Sequence, residues 1–589
     1  MNVPGPAVYL LGSINSPTLS APQTQQPTDS ETHGQTLAPA TPPLGLSDLL
    51  CMATGLGLSL VISYIFGRGR ILWEDEMLGW MLLHDPSWHH MLQAWKLGAD
   101  GGGFAFYLTG RLWFHIFGAS EIAFRMYSAT CFGLAFIVLW LALRRFYGRW
   151  TVAFALFNTW FFSPPIVTHM GEGRFYGLLT LSTALAVWLI VDPLSRPGPT
   201  RAYLYPLAFL INALLTTSHL LGVVYSGFLL FALLVLDWSS GRIRPLLLLS
   251  GMASWLLLIP ERTAILASAH VGQPHFWTPP PTLRRFLGVY TAYSVEIALV
   301  LLLLTVAFLW TRRRTPSTRF ADLREAYSRR KPVWAVTLAL LLLPAAFLME
   351  GIFGPSLFIN RYLMPVTIAQ VFLTAEAIRL IRWDLLLPSF LTRQPAAMRL
   401  ARPAAAALFS MALLLWVFRH LFQIAIPQPN YTDALTAMLP RNLPVVLEDA
   451  SGFTEIIGRQ HASGVHYTYL LDWPHAISPD APLFEVTQFH LMENWRRSGY
   501  FSGSIIDRDT FLRDHPCFLL VQIEPYLATK EPLPVGNPLV ERFSHAPGFE
   551  VKPYARLEYQ HVRDSIWMVC RRSWDGADAQ TAEPHIPPG

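Results

Sequence analysis

Charge is scarce in this sequence. Only 14% of its 589 residues are Asp, Glu, Lys or Arg, against 52% hydrophobic residues and a mean hydropathy of +0.35. Such a balance excludes an ordinary soluble globular chain and makes the bilayer the main solvent. Cysteine is rarer still, with four in all. Cys51 and Cys131 lie in apolar runs, while Cys517 and Cys570 lie in the polar C-terminal third, where one disulfide and two buried thiols are both compatible with the sequence. Residues 1–47 contain no Lys or Arg and are rich in Pro, Thr, Ser and Gln; they bury too little apolar surface to fold and read as a disordered tail. With no basic segment before the first apolar run and no small-residue cleavage site after it, that run is expected to remain as an anchor. No internal repeat stands out, which removes support from a transporter built of tandem or inverted halves.

What is present is a series of apolar runs of about 20 residues, the length a helix needs to cross a bilayer. They fall near 48–67, 122–143, 150–167, 175–192, 203–218, 219–237, 245–262, 292–311, 332–352, 363–381 and 403–423, so the reading is an α-helical polytopic membrane domain over 48–427 with about eleven spans. Net charge is +5 with a pI near 9.0. The arginines crowd into every second connection: Arg144, Arg145 and Arg149; Arg196 and Arg201; Arg242 and Arg244; Arg312 to Lys331; Arg379 to Arg402. By the positive-inside rule these connections face the cytoplasm, as does the N-terminus. The alternate connections, 68–121, 168–174, 263–291 and 353–362, then face outward. A nucleic-acid surface is the weaker explanation of the basic charge. From 428 to 575 charged residues and β-type runs appear, among them PVVLED, VHYTYLLDW, CFLLVQIE and SIWMVCRR. They predict a soluble α/β domain outside the membrane, followed by a second disordered tail, 576–589. That third holds no nucleophile triad, P-loop or zinc spacing. Asn430 opens an N-x-T pattern whose meaning depends on the host.

Chemistry concentrates on the outward side. ILWEDEMLGW (71–80) sets Glu74, Asp75 and Glu76 side by side directly after the first span. Acids at an interface cost little, so a solvated helix end is the plain alternative. Against it stands a long outer loop, 68–121, studded with Trp73, Trp80, Trp88, Trp95, Phe104, Phe106 and Tyr107, a composition suited to helices lying in the interface. The second acidic motif, THMGEGRFYGLLTL (168–181), brings Glu172, Arg174 and Tyr176 to the same side, with dipole-favoured capping and snorkelling as the alternative. INRYLMPV (359–366) adds Arg361 and Tyr362; Arg284 and Arg285 are weaker candidates, suited to headgroups. Eight histidines, His84, His89, His90, His115, His169, His219, His270 and His275, include no pair with convincing metal-ligand spacing.

The ordered ladder of these motifs, an acidic pair after the first span, ADGGGFAFYLTGRLWFHIFGASEIAFRMYSA (99–129), RRFYGR (144–149), the Glu172 motif and INRYLMPV, resembles the GT-C membrane glycosyltransferases of the protein-mannosyltransferase and aminoarabinose-transferase type, glycosyltransferase family 39. The resemblance implies a GT-C fold and an inverting transfer of one sugar from a polyprenyl-phosphate donor to a glycan, lipid or protein acceptor. The work would be done at the outer face of a bacterial inner membrane. It puts the catalytic base at Asp75, with Glu76 and Glu172 shaping the acceptor site or a site for a divalent ion, no cofactor being certain. It gives phosphate holding to Arg174 and Arg361 with Tyr176 and Tyr362, and matches His219 to an outer-end histidine of the family. An inverting displacement needs a carboxylate to accept the acceptor's proton and cations to hold the departing phosphate. Two departures limit the carry-over: Leu78 stands where the aminoarabinose-transferase branch has a basic residue, and Asp100 with Gly101, Gly102 and Gly103 replaces its Lys-Pro-Pro step. Asp100 is therefore either part of a mobile site loop or a plain turn. The rival readings are a flippase or transporter, which would use buried acids such as Glu296, Glu350 or Glu376, and an assembly protein that kept the fold without the chemistry.

Overall fold

A computed structural model describes residues 44–68, 72–196, 198–271, 278, 281–314, 328, 330–354, 356–381, 416, 431–457, 464–478, 481, 485–523, 538–559 and 562–572. The expected tails, apart from residues 44–47, lie outside them, as do the eleventh span, apart from Trp416, and Asn430. The N-terminal part is helical. The helix α1 (Leu46–Gly67) has 22 residues, about 33 Å of rise and enough for a bilayer core. Three short helices, α2 (Glu74–His84), α3 (Trp88–Lys96) and α4 (Phe104–Phe117), fold the long connection before α5 (Glu121–Arg144). Next come α6 (Arg149–Phe161), α7 (Pro164–Met170), α8 (Tyr176–Val191), α9 (Leu204–Ser218) and α10 (Gly222–Ser239). Through a 3-10 turn, Ser254–Leu257, α11 (Pro245–Ala253) runs into α12 (Leu258–Val271). After α13 (Leu283–Val289), α14 (Val295–Arg314) and α15 (Lys331–Phe353), the 3-10 segment Asn360–Val366 leads into α16 (Thr367–Leu380).

Among the described residues, eight helical stretches are long and apolar enough to span a membrane. Two expected spans differ from the sequence reading for identifiable reasons. The run 150–167 is not one helix, because Pro164 forces Ser163 into an extended conformation, φ −86° and ψ 107°, and separates α6 from α7. The run 203–218 forms α9, whose 15 residues are short for a span. It ends where His219 turns extended, φ −160° and ψ 152°. On α4, Leu108, Leu112, Ile116 and Phe117 are exposed along one face, the signature of a helix laid on lipid. At the helix ends away from this loop, acids and arginines knit neighbouring helices together. Asp48 accepts from Arg144 at 2.7 Å, Asp192 from Arg145 at 2.6 Å, and Glu376 from the Tyr147 hydroxyl at 2.8 Å, with Asp237 paired to Arg244.

The C-terminal part contains α17 (Tyr431–Met438), β1 (Val445–Leu447), α18 (Ala450–Ile457), β2 (Tyr467–Leu471), α19 (Trp473–Ala476), α20 (Glu485–Arg497), β3 (Ile505–Asp507), α21 (Arg508–Asp514), β4 (Cys517–Ile523), α22 (Leu539–His545), β5 (Phe549–Tyr559) and β6 (Val562–Arg571). Its sheet runs β3-β2-β1-β4-β6-β5, with β1 parallel to both β2 and β4 and with an antiparallel β5–β6 hairpin on one flank. All four β-type runs of the sequence are strands. Two further strands were not anticipated: β3 is three residues long, and β5 carries Pro553 and many polar residues, which suits only a sheet edge. Cys517 and Cys570 sit opposite each other on β4 and β6 and form a disulfide. One face of the sheet, with Val445, Leu447, Leu519 and Val521, belongs to the same core as the apolar helices. The other, with Val446, Leu470, Phe518 and Leu520, packs separately.

Candidate active site

The first turn of α2 carries three consecutive acids, and because each step around a helix is about 100°, they leave it in three directions. Glu76 turns inward. Its Oε1 accepts from Arg125 Nε at 2.9 Å and from the Gly173 amide at 2.7 Å, and its Oε2 from Arg125 Nη2 at 2.8 Å and the Trp73 amide at 3.4 Å. Four donors fill the acceptor positions of a carboxylate. Glu76 thus ties α2 to α5 and to the 171–175 turn, and its oxygens do not face the same space as those of Asp75. Arg125 was not singled out in the sequence, although a lone arginine within an apolar span is itself a signal that a buried acid waits for it.

Asp75 points elsewhere, to Arg361, whose Nη1 lies 3.0 Å from its Oδ2, both side chains being about one-fifth exposed. Glu74 accepts from the Ser451 hydroxyl of α18 at 2.6 Å. Burial, with Asp449 and Asp75 nearby, pushes the Glu74 carboxyl up to about 8.

The turn 171–175 presents Arg174. At Gly173 a Cβ would lie 2.3 Å from the Phe124 ring, so only glycine lets this turn approach α5 closely enough for its amide to reach Glu76. Arg174 is buried, donates to the Asp75 backbone carbonyl, and pairs with Asp100 Oδ1 at 2.8 Å. The other oxygen of Asp100 accepts from Tyr107 at 2.5 Å. Asp100 thus belongs to a packed turn. A Cβ on Gly103 would lie 2.1 Å from the Thr217 carbonyl oxygen, and Gly102 forms an isolated antiparallel bridge with His219.

The His219 ring stacks on Phe175, with centroids 4.5 Å apart, and lies 5.1 Å from Tyr362. Its Nδ1 accepts from the Leu221 amide at 3.2 Å, which leaves the proton on Nε2. Burial and the guanidinium groups of Arg174 and Arg361 push it down to about 3, so it is a neutral ring. Tyr176 lies 6.3 Å from Tyr362, ring to ring, and Tyr225 donates to the Tyr362 carbonyl at 2.7 Å. Two buried donors here, Arg174 Nε and Trp73 Nε1, meet no acceptor among the described residues. Buried donors are rarely left so.

Asp75, Asp100, Arg174, Tyr176, His219, Arg361 and Tyr362 therefore share one neighbourhood at the loop end of the helices, although they come from four separate connections. Glu172 turns to His169, 2.5 Å from its Nδ1. Arg285, on α13, offers its carbonyl to Tyr293, and among the described residues no hydrogen bond or ion pair joins the side chain of Arg284 or Arg285 to this cluster. His90 pairs with Asp85. Among the described residues no group of three His, Cys, Asp or Glu side chains is placed to hold a metal ion. Glu376 is engaged by Arg379 and Tyr147, Glu350 by the Leu357 amide, and Glu296 by Trp416 and Ser294, all near helix ends.

No family model and no curated protein matches the sequence. Among solved structures, the chain is similar to the crystal structure of ArnT from Cupriavidus metallidurans bound to undecaprenyl phosphate, with 14% identity, a TM-score of 0.50, and coverage of 89% of this chain and 98% of that one. It is also similar to ArnT from the same organism in the apo state, with 12% identity, a TM-score of 0.49, and coverage of 88% and 98%. The shared architecture is the GT-C one, apolar spans with a small C-terminal sheet domain, and this chain is an integral membrane protein of that fold.

Proposed function

We propose that this protein is a membrane glycosyltransferase that moves a sugar from a polyprenyl-phosphate donor to the hydroxyl of a glycan, lipid or protein acceptor, with inversion. The observation that carries the reading is the Asp75–Arg361 pair, set beside Arg174, whose buried Nε, like Nε1 of Trp73, meets no acceptor among the described residues. Such a site offers one carboxylate to a proton and several N–H groups to a phosphate. The likeness to a fold solved with undecaprenyl phosphate agrees with it.

In this reading the donor's phosphate draws Arg361 from Asp75, assisted by the forked guanidinium of Arg174. Asp75 then accepts the acceptor's hydroxyl proton as the oxygen attacks the anomeric carbon. The bond from that carbon to the phosphate oxygen breaks, and the electron pair leaves on the polyprenyl phosphate, where the arginines stabilise it. Tyr362 and Tyr176 line the path, neutral His219 packs beneath them, and Asp100 aims Arg174. Glu76 and Glu172 act through Arg125 and His169 as positioning groups. The N-terminus would be cytoplasmic and the site on the outer face of a bacterial inner membrane; the Cys517–Cys570 disulfide, suited to an oxidising compartment, supports that orientation.

The test is transfer in membranes supplied with a panel of radiolabelled polyprenyl-phosphate sugars, comparing wild type with Asp75→Asn at matched protein level. The wild type is expected to transfer from one donor, and Asp75→Asn to lose at least about a hundredfold. Full transfer by Asp75→Asn would move the base elsewhere. Silence of the wild type across all donors would count against the enzyme.

A further inference from the structure

The C-terminal domain touches the two stretches of the first loop that carry the site's acids, and it does so through directed hydrogen bonds. Trp495, fully buried on α20, donates from Nε1 to the Ala99 carbonyl at 2.8 Å, one residue before Asp100. Its neighbour Asn494 reaches the Gly98 carbonyl at 3.4 Å. Gly98 is held at φ +81°, and a Cβ there would lie 2.9 Å from Ala267 of α12 and 3.2 Å from Asn494, so the chain is pinched between the two domains at this point. Just beyond α20, the Ser498 carbonyl lies 2.7 Å from His90 Nε2 while Tyr500 donates to Asp85, so the start of α3 is held as well as the turn that follows it. On the other side, Ser451 in the first turn of α18 donates to Glu74 at 2.6 Å, next to Asp75. Asp449, at the carboxyl end of β1, holds the start of α18 by accepting from the Gly452 amide at 2.9 Å.

We propose that the C-terminal domain is a positioning element of the transfer site: Trp495 fixes the turn that presents Asp100 to Arg174, and Ser451 fixes the first turn of α2 that presents Asp75 to Arg361. This rests on the transfer reading above for its catalytic consequence, but not for its geometry. A loop of 96–103 that lost the Trp495 donor would let Asp100 drift, and Arg174 would lose the partner that orients it. A module serving only for folding or for docking another protein would have no reason to bond the backbone immediately before Asp100 and the side chain immediately before Asp75.

The experiment uses the full-length protein in detergent with Trp495→Phe, which removes the N–H while keeping an aromatic ring in the core, and with Ser451→Ala and Ser451→Thr. Amide hydrogen exchange is followed by mass spectrometry alongside thermal melting and steady-state transfer. Trp495→Phe is expected to speed exchange within 98–103, and Ser451→Ala within 73–77, each with a lowered melting temperature that still leaves the protein folded under the assay conditions and with exchange elsewhere unchanged. Each should lower kcat about five- to tenfold with the donor KM unchanged, and Ser451→Thr should restore it. Exchange unchanged in both stretches overturns the proposal whether or not transfer is detected. Faster exchange with kcat intact overturns its catalytic consequence. A wild type that transfers nothing, while Trp495→Phe still loosens 98–103, refutes the transfer reading and leaves the positioning contact standing.

Discussion

Glu74, Asp75 and Glu76 show how little adjacency says about role. One turn of helix sends them to a serine, to Arg361 on a distant connection, and to a fully satisfied fork with Arg125. Glu74 has the least company from cations, and burial beside Asp449 and Asp75 pushes its carboxyl up to about 8 from an ordinary 4.5. The sign of its effect follows from linkage. A carboxyl whose pKa is raised on folding stabilises fully below its unfolded value, and that contribution is lost as pH rises towards the folded one. Melting of the wild type should therefore worsen between about pH 5 and pH 8, by up to about 1.4 kcal/mol for each unit. Glu74→Gln, neutral throughout and able to keep the Ser451 contact, should flatten that decline; a slope identical to the wild type's would show that Glu74 ionises freely.

Among the elements, the turns matter more than the helices they join. The stretch Asp100 to Gly103 is readable from sequence as either a mobile site loop or a plain turn, and in the structure it is a packed turn. Its glycines let it lie against the end of α9, so that Asp100 reaches Arg174 and Gly102 pairs with His219. Gly103→Ala would drive a methyl into the Thr217 carbonyl, a backbone atom that cannot rotate away. The expected cost is about 1–3 kcal/mol of stability, with transfer falling further than stability because Asp100 moves. Measured melting and transfer that both match the wild type would show that the turn has slack. The expectation of one helix over 150–167 failed at the same scale. Hydropathy integrates over a window and passes smoothly across Pro164, whereas the missing N–H and the displaced preceding residue break the ladder at one peptide.

For the whole molecule, the two-domain division is expressed in the sheet as well as in the membrane helices. The face of the sheet continuous with the helical core and the hairpin pinned by Cys517–Cys570 lie in one assembly, so loosening the sheet should reach the site. Cys517→Ser with Cys570→Ser is expected to lower stability by about 2–4 kcal/mol, read as an earlier melting transition. Transfer should recover at low temperature, since neither cysteine contacts the site residues. Loss of transfer at every temperature would mean that the hairpin carries a direct role.

Most of the spans, the segregation of arginine to one set of connections and the gathering of acids and aromatics on the other were legible in the sequence. Hydropathy and charge are properties of short stretches, and a bilayer sorts short stretches by those properties alone. Asp75, Arg174 and Arg361 could be picked out because each is an ionisable group where an apolar chain meets water and because the motifs around them resemble those of glycosyltransferase family 39. Which of them meet could not. Glu76 with Arg125, Arg361 with Asp75, Asp100 with Arg174 and Ser451 with Glu74 join residues far apart in the chain. Each pairing depends on how four connections and a sheet domain converge in space. Hydropathy carries no information about distances between helices, so only the packed structure decided which acid was left facing the arginines and which was already spent.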